Sequence, residues 1–267
     1  MATPPKTKTA PRPLRITEPA HRNHEELFPN HQSTLKLTDP ELIEIFDNFA
    51  FDEVLTESKL DTKTRVMMIL ASLIACQAVS EYKIIAGAVL NVGVTPVQIK
   101  EILYQAVPYV GMARAFEFLH ATNEVLANRG ISLPLEGQST TTAETRHDKG
   151  LAAQKATFGK MIDQLYEQSP KDQLHIQRFL SAHCFGDHYT RNGLDLKLRE
   201  LVTLSILIAS GGLEPQIKGN LNVGSDRAVL MDLITQLLPW VGYPRTLNAM
   251  NCLNEIAPPL PIGAKQP

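Results

Sequence analysis

The sequence has few cysteines and no motif that pairs them. Its three cysteines, Cys76, Cys184 and Cys252, are odd in number and widely spaced, and no C-x-x-C string occurs. A disulfide framework needs an even set of cysteines and a zinc ribbon needs closely spaced thiolates. We therefore expect neither, and a reducing cytoplasm is the expected location.

Other signals of specific chemistry are also missing. There is no H-E-x-x-H, H-x-x-x-H, G-x-G-x-x-G, P-loop or G-x-S-x-G string, so metal, nucleotide and serine-hydrolase sites have no support. A formal net charge of −2 provides no basic field for nucleic acid or for an anionic membrane surface. The longest apolar run, residues 66–78, is too short to cross a bilayer. We expect no metal, no cofactor, no nucleic acid and no membrane as partners.

What the sequence does contain is an internal repeat. The string L-D-T-K-T-R at residues 60–65 returns as L-D-L-K-L-R at 194–199, and N-V-G at 91–93 returns at 222–224. The second copy is about three residues shorter, and the loss falls between Ser210 and Asn222. A duplicated domain is usually a fused homodimer whose ancestral contact becomes an internal pseudo-twofold interface.

The repeat divides the chain into four parts. Residues 1–35 lack the apolar core of a signal peptide and are predicted to form a flexible N-terminal arm. Residues 36–130 form the first domain and residues 148–260 the second. Residues 131–147 contain proline, glycine and a serine-threonine cluster, which is typical of a linker.

Helix signals dominate both copies. Asp39, Asp61, Asp195 and Thr95 are placed to cap helix N-termini, and long apolar runs follow Asp61 and Asp195. No run of alternating β-branched residues competes with this pattern. The fold class is predicted to be all-α, with two tandem helical domains related by a pseudo-twofold axis.

Glu200 is the strongest candidate for catalysis. It stands alone in an apolar stretch near the start of a helix that is expected to be buried. Desolvation favours the neutral carboxyl and raises its pKa toward the range of a general acid or base. A structural carboxylate paired with an arginine is the alternative. The first copy has Val66 at the matching position, so a site that depends on Glu200 would exist once per chain.

Arginines are the candidates for holding a substrate carboxylate, because a guanidinium binds it in a bidentate manner. Arg65 and Arg199 match each other in the two copies, as do Arg114 and Arg245. A structural ion pair repeated in both copies would produce the same match, so a structural role remains the alternative to substrate binding. Gln216 follows Ser210 where a ligand-facing turn is possible, with exposed surface as its alternative.

Two further residues are weaker candidates. Cys76 lies near the end of a buried helix and has no resolving cysteine three residues on, so a small core residue is the alternative to a nucleophile. His188 is a candidate proton carrier, with an exposed loop histidine as the alternative.

Six strings in the second copy resemble the signature of carboxymuconolactone decarboxylase domains. The likeness covers about residues 40–129 and 150–257, and Glu200 matches the glutamate that these domains share. The strings are F-G-D at 185–187, G-L-D at 193–195, L-R-E-L-V-T-L at 198–204, N-V-G at 222–224, G-Y-P-R at 242–245 and L-N-A at 247–249.

The resemblance implies about six helices per domain and a homo-oligomer, here a trimer of two-domain chains. One branch of the family decarboxylates 4-carboxymuconolactone without a cofactor, and another uses a C-x-x-C pair as a thiol peroxidase. That pair has no match here, and the family histidine two turns before the N-x-G string is replaced by Ile85 or Gln216.

Three hypotheses follow. The first is a cofactor-free decarboxylase or isomerase acting on a small lactone or oxo acid in aromatic-compound catabolism, in which an arginine holds the carboxylate and Glu200 supplies or removes the proton. The second is a peroxiredoxin-like enzyme that uses Cys76. The third is a binding or scaffolding protein that retains the fold without the chemistry.

Overall fold

The computed structural model describes residues 15–31 and 33–259, which form helices and connecting segments with no strand among them. The first copy holds α1 (Glu18–Leu27), α2 (Leu35–Thr38), α3 (Pro40–Asn48), a π-helical turn (Phe49–Glu53), α4 (Val54–Thr56), α5 (Thr62–Ala75), α6 (Val79–Asn91), α7 (Pro96–Val110) and α8 (Met112–Asn128). The second copy holds α9 (Arg146–Phe158), α10 (Met161–Gln168), α11 (Leu174–Phe179), a π-helical segment (Leu180–Tyr189), α12 (Leu196–Ser210), α13 (Leu213–Asn222), α14 (Arg227–Val241) and α15 (Tyr243–Ile256).

The predicted capping residues define the helix starts. The Asp61 carboxylate accepts from the Thr64 amide at 3.0 Å, and the Asp195 carboxylate accepts from the Leu198 amide at 2.8 Å. Thr95 forms a reciprocal capping box with Gln98. Asp39 occupies the N-cap position of α3, but its side chain makes no capping hydrogen bond.

The central helices of both copies pack against each other and are buried. Helix α5 of the first copy contacts its counterpart α12 of the second. Helix α7 of the first copy packs on α12, and its counterpart α14 packs on α5 in the same way. Exchanging the two copies reproduces this pattern, which is the predicted pseudo-twofold relation. One continuous apolar core therefore spans both copies, and the all-α fold of two tandem domains is confirmed.

The prediction of a flexible arm is wrong for residues 18–27. Helix α1 forms there, Ala20 is fully buried, and the Asn23 side chain donates to the Phe51 carbonyl at 2.7 Å. The lack of an apolar stretch suggested an arm, but α1 packs on the first π-helical turn and buries Ala20 and Leu27. The rest of the predicted arm before residue 15, and residue 32, lie outside the described residues.

The linker is held against the second copy rather than extended from it. The Asn192 amide donates to the Gln138 carbonyl at 2.9 Å, and the Thr140 hydroxyl donates to the Thr190 carbonyl at 2.8 Å. Helix α9 begins at Arg146, just inside the predicted linker boundary. Among the described helices, none is long and apolar enough to cross a membrane.

Candidate active site

Glu200 is a fully buried carboxyl on the first turns of α12. Its two oxygens accept from the Gln216 side-chain amide at 3.3 and 3.2 Å. Neither oxygen forms an ion pair with a cation in the described part of the chain. Burial raises the pKa of Glu200 to about 8, so the carboxyl is mainly protonated at neutral pH.

A chain of hydroxyl groups leads away from this carboxyl. The Tyr189 hydroxyl is near enough to Glu200 to oppose part of the rise in its pKa, and it lies 2.8 Å from the Tyr109 hydroxyl. Thr203, at 2.9 Å, and the Gln216 amide, at 3.2 Å, complete the contacts of Tyr189. Burial raises the pKa of both tyrosines well above the usual value, so both keep their protons. Each tyrosine is therefore available to pass a proton along the chain.

Glycines bring the elements of this network together. A Cβ atom on Gly150 or Gly186 would collide with the backbone of the facing segment, so α9 packs directly on the second π-helical segment. That segment carries Tyr189. On α13, a Cβ on Gly219 would stand 2.7 Å from Oε2 of Glu200. Glycine at 219 thus leaves the space that the carboxyl occupies.

A cavity of about 680 Å³ opens at the far end of the hydroxyl chain. Tyr109, Gln216 and Cys184 belong to both the network and the cavity wall. No lysine or arginine among the described residues lines it. The rest of the wall is mainly apolar and includes Phe158, Ile162, Leu165, Phe179, Leu180 and Phe185.

The two copies contribute unequally to this site. Tyr109 comes from α7 of the first copy, whereas Glu200, Gln216 and Tyr189 come from the second. In the first copy the position of Glu200 is held by Val66, as predicted, and Val66 is fully buried among apolar neighbours. Positions matching Gln216, Tyr189 and Thr203 hold Ile85, Leu55 and Ile69. The polar network therefore occurs once per chain among the described residues.

Of the predicted site residues, Glu200 and Gln216 come together at this cavity. Cys76 ends α5 in the first copy, and burial raises the pKa of its thiol while Arg245 partly opposes the shift. Arg245 itself is exposed at the start of α15. Neither residue lines the cavity beside Glu200.

Arg199 and Arg65 are buried among other protein groups, and neither side chain lines the cavity. Arg199 is fully buried and donates to Glu101 at 2.9 Å, to Gln105 at 3.0 Å and to two backbone carbonyls. Arg65 is buried on α5 within the electrostatic influence of Asp61 and Glu26. Both environments are those of structural arginines, which was the alternative to a substrate-binding role.

His188 is not the exposed loop histidine of the sequence-based alternative, because it lies half-buried within the second π-helical segment. Its ring centroid is 5.0 Å from that of His183. Burial lowers the pKa of His188 to about 4, so the ring is neutral at neutral pH. It does not contribute to the cavity wall or to the Glu200 network.

Sequence reasoning missed Tyr109, Tyr189 and Cys184. One signal was available, because the P-Y-V-G string of the first copy becomes P-W-V-G in the second, so only Tyr109 carries a hydroxyl. Burial raises the pKa of the Cys184 thiol to about 12. Cys184 is therefore a poor thiolate nucleophile at neutral pH.

Comparison with known proteins identifies the fold and family. The profile described as "Carboxymuconolactone decarboxylase family" matches residues 40–124 and 175–255, one stretch in each copy. The 4-carboxymuconolactone decarboxylase of Acinetobacter baylyi is 27% identical over 127 residues, covering 46% of this chain and 95% of that protein. A crystal structure of a provisionally named gamma-carboxymuconolactone decarboxylase subunit from Burkholderia xenovorans LB400 matches with a TM-score of 0.50 and 21% identity, covering 89% of this chain and 97% of that one. The chain belongs to the carboxymuconolactone decarboxylase family.

Proposed function

We propose that the protein is a cofactor-free decarboxylase that acts on a small lactone or oxo acid, with Glu200 as its proton donor. The observation that carries the proposal is the fully buried Glu200 carboxyl, which has no cation partner and shares the Gln216 amide with Tyr189, whose hydroxyl contacts Tyr109 on the wall of a cavity. A general acid must hold its proton at working pH, and a carboxyl with its usual pKa would not. The relative named 4-carboxymuconolactone decarboxylase supports the same reaction class.

The proton is proposed to reach the substrate through the hydroxyl chain, because Glu200 has no exposed surface. Loss of carbon dioxide leaves the electron pair of the broken C–C bond on the substrate carbon. Tyr109 donates its proton to that carbon, Tyr189 reprotonates Tyr109, and Glu200 reprotonates Tyr189. After the product leaves, Glu200 recovers a proton from solvent in the cavity by the same route, through Tyr109 and Tyr189. The net change is a carboxylate plus one proton giving a C–H bond and carbon dioxide.

The apolar cavity wall is suited to releasing a carboxylate. In the part of the wall that the structure describes, no arginine or lysine would stabilise the charge of the bound acid. Transfer of a carboxylate from water to an apolar surrounding is costly. Loss of carbon dioxide relieves that cost, because the product group is neutral.

The pH dependence of turnover tests the proposal. The rate is expected to be constant near neutral pH and to fall roughly tenfold per pH unit above the pKa of Glu200, because only the protonated carboxyl can donate. The measurement is kcat/KM for carbon dioxide release from carboxymuconolactone, and from other small lactones and oxo acids, over the neutral to alkaline range. Tyr109→Phe should lower the rate, because it interrupts the hydroxyl chain.

A rate that stays constant through the alkaline range would contradict Glu200 as the acid. The peroxiredoxin-like alternative is tested on the same protein by an assay of peroxide consumption. Thiol-dependent consumption of peroxide that is abolished by Cys76→Ser would favour that alternative. The raised pKa of the Cys76 thiol argues against it, because less thiolate is present at neutral pH. No carbon dioxide release and no peroxide consumption would favour the binding or scaffolding alternative.

A homo-oligomer is part of the proposal. Both copies expose apolar side chains at matching positions, Leu42 and Ile45 on α3 and Ile176 and Phe179 on α11. Each of these side chains is more than half exposed. Repeated apolar faces of this kind are typical of surfaces that are covered in an assembly.

Phe179→Glu is expected to reduce the mass of the particle by dissociating a trimer of two-domain chains. Burying a charge in an apolar contact is unfavourable. Light scattering on the eluted protein measures the mass, and Arg178→Glu, at an exposed neighbour on the same helix, is the matched control. A wild-type particle with the mass of one chain would contradict the oligomer.

A further inference from the structure

The first copy encloses a second cavity, of about 440 Å³, at the position that corresponds to the first. Pro239 and Trp240 of α14 close it, just as Pro108 and Tyr109 of α7 close the cavity beside Glu200. Its wall has a different character, because aromatic rings converge on it from several elements. These rings belong to His24, Phe28, Phe46, Phe51 and Trp240.

Asp47 introduces a buried carboxyl into this aromatic wall. The residue is only 5% exposed, and it forms no hydrogen bond or ion pair with any described residue. The matching residue of the second copy is Ser181, whose hydroxyl is satisfied by Gln154 at 2.6 Å and Tyr166 at 2.8 Å. The Asp47 oxygens keep some contact with solvent, so the carboxyl faces the open space of the cavity and its charge is only partly desolvated. The Asp47 carboxyl therefore lacks the partner that its counterpart has.

The other titratable groups on the wall do not supply that partner. Glu81 adds a second carboxyl, and burial raises the pKa of both acids. Burial lowers the pKa of His24 to about 4, so its ring is neutral near pH 7. His31 is exposed at the rim, and Lys36 partly lowers the pKa of Asp47 but forms no ion pair with a described residue. Two carboxyls thus face one lysine across an aromatic cavity.

We propose that this cavity binds a small organic ammonium ion that carries an aromatic or branched apolar group. The ammonium would pair with Asp47 and Glu81, and the apolar group would pack among Phe46, Phe51 and Trp240. Carboxylates satisfy the charge of an ammonium ion, and the faces of aromatic rings attract cations within about 6 Å of the ring centre. This site is separate from Glu200, so it stands whether or not the chain is a decarboxylase.

Trp240 gives a direct readout, because it is the only tryptophan in the chain and it lines the cavity. The experiment is a titration of intrinsic fluorescence in the full-length protein with 2-phenylethylammonium, checked by calorimetry. The neutral isostere 2-phenylethanol is the ligand control. We expect saturable binding of the amine and at least roughly tenfold weaker binding of the alcohol, the ratio that corresponds to about 1.4 kcal/mol.

Variants assign the binding to the carboxyls. Asp47→Asn is expected to weaken amine binding at least about tenfold and to leave alcohol binding unchanged. Glu81→Gln should weaken it in the same direction, which keeps the test decisive if one variant is poorly folded. Glu41→Gln changes the net charge equally at an exposed position on α3 and should have no effect. Equal affinity for amine and alcohol, no saturable amine binding, or full amine binding by both cavity variants would overturn the proposal.

Discussion

Glu200→Gln is expected to lower turnover by about 10²- to 10⁴-fold, the range that general acid catalysis usually contributes. Glutamine keeps the size and the contact with Gln216 but has no acidic proton to send along Tyr189 and Tyr109. The matched control is Glu214→Gln, which alters a carboxyl that is 67% exposed and paired with Lys218 on the neighbouring helix α13. Turnover by the Glu200 variant within a few-fold of the wild type would remove Glu200 from the mechanism.

The same pair of proteins provides a second readout that does not depend on knowing the substrate. The pKa of Glu200 is about 8 in the fold and near 4.5 without it. The folded state therefore retains a proton that the unfolded state has lost, so wild-type stability falls as the pH rises from about 4.5 through about 8. The shift corresponds to a loss of about 5 kcal/mol as an order of magnitude. Glu200→Gln lacks this term and should become more stable than the wild type at alkaline pH.

Denaturant titrations at several pH values would measure this difference. If Glu200 were an ordinary paired carboxylate, its folded pKa would be depressed and glutamine would destabilise the protein at alkaline pH instead. The sign of the difference therefore separates the two interpretations of Glu200 that the sequence left open. Turnover and stability together distinguish an inactive but folded variant from an unfolded one.

The fold was predictable because its signals are local and repeated. Asp61 and Asp195 each precede an apolar run, and the structure places both of these runs in helices at the centre of the core. The same runs made Glu200 conspicuous, since a lone carboxyl in a buried helix needs an explanation. Helix α1 was not predicted because its few apolar residues become meaningful only when the π-helical turn packs on them.

The rest of the site could not be read from the sequence, because its members come from distant segments. Tyr109 and Tyr189 are eighty residues apart and meet only when α7 packs on the second π-helical segment. Arg199 shows the opposite case. It was a substrate-binding candidate next to Glu200 in sequence, but the helix directs the two side chains to different partners, Glu101 and Gln216.

The two copies illustrate how one scaffold can hold two different cavities. In the second copy, the Ser181 hydroxyl has hydrogen-bond partners, and the acidic residue is Glu200, which is buried behind the cavity wall. In the first copy, Val66 replaces that acid, and Asp47 places a carboxyl on the wall itself. Because a proline and an aromatic residue of the opposite copy close each cavity, neither domain is expected to retain its cavity when separated from the other.

Glu101→Ala is expected to cost about 3–5 kcal/mol in the free energy of unfolding, the usual range when one partner of a buried ion pair is removed. Glu101 is 1% exposed on α7 of the first copy and pairs with Arg191 and Arg199 of the second, each at 2.9 Å. Its loss leaves the fully buried Arg199 guanidinium without a carboxylate.

The repeat supplies the control for this change. Asp232 matches Glu101 in the second copy but only accepts from the Lys59 backbone amide at 2.9 Å, near the surface. Asp232→Ala should therefore cost about 1 kcal/mol, the worth of one hydrogen bond. A cost for Glu101→Ala that is no larger would show that the two copies are not joined through this ion pair. The double variant Glu101→Leu with Arg199→Leu should recover part of the loss, because it removes the unpaired charge together with its partner.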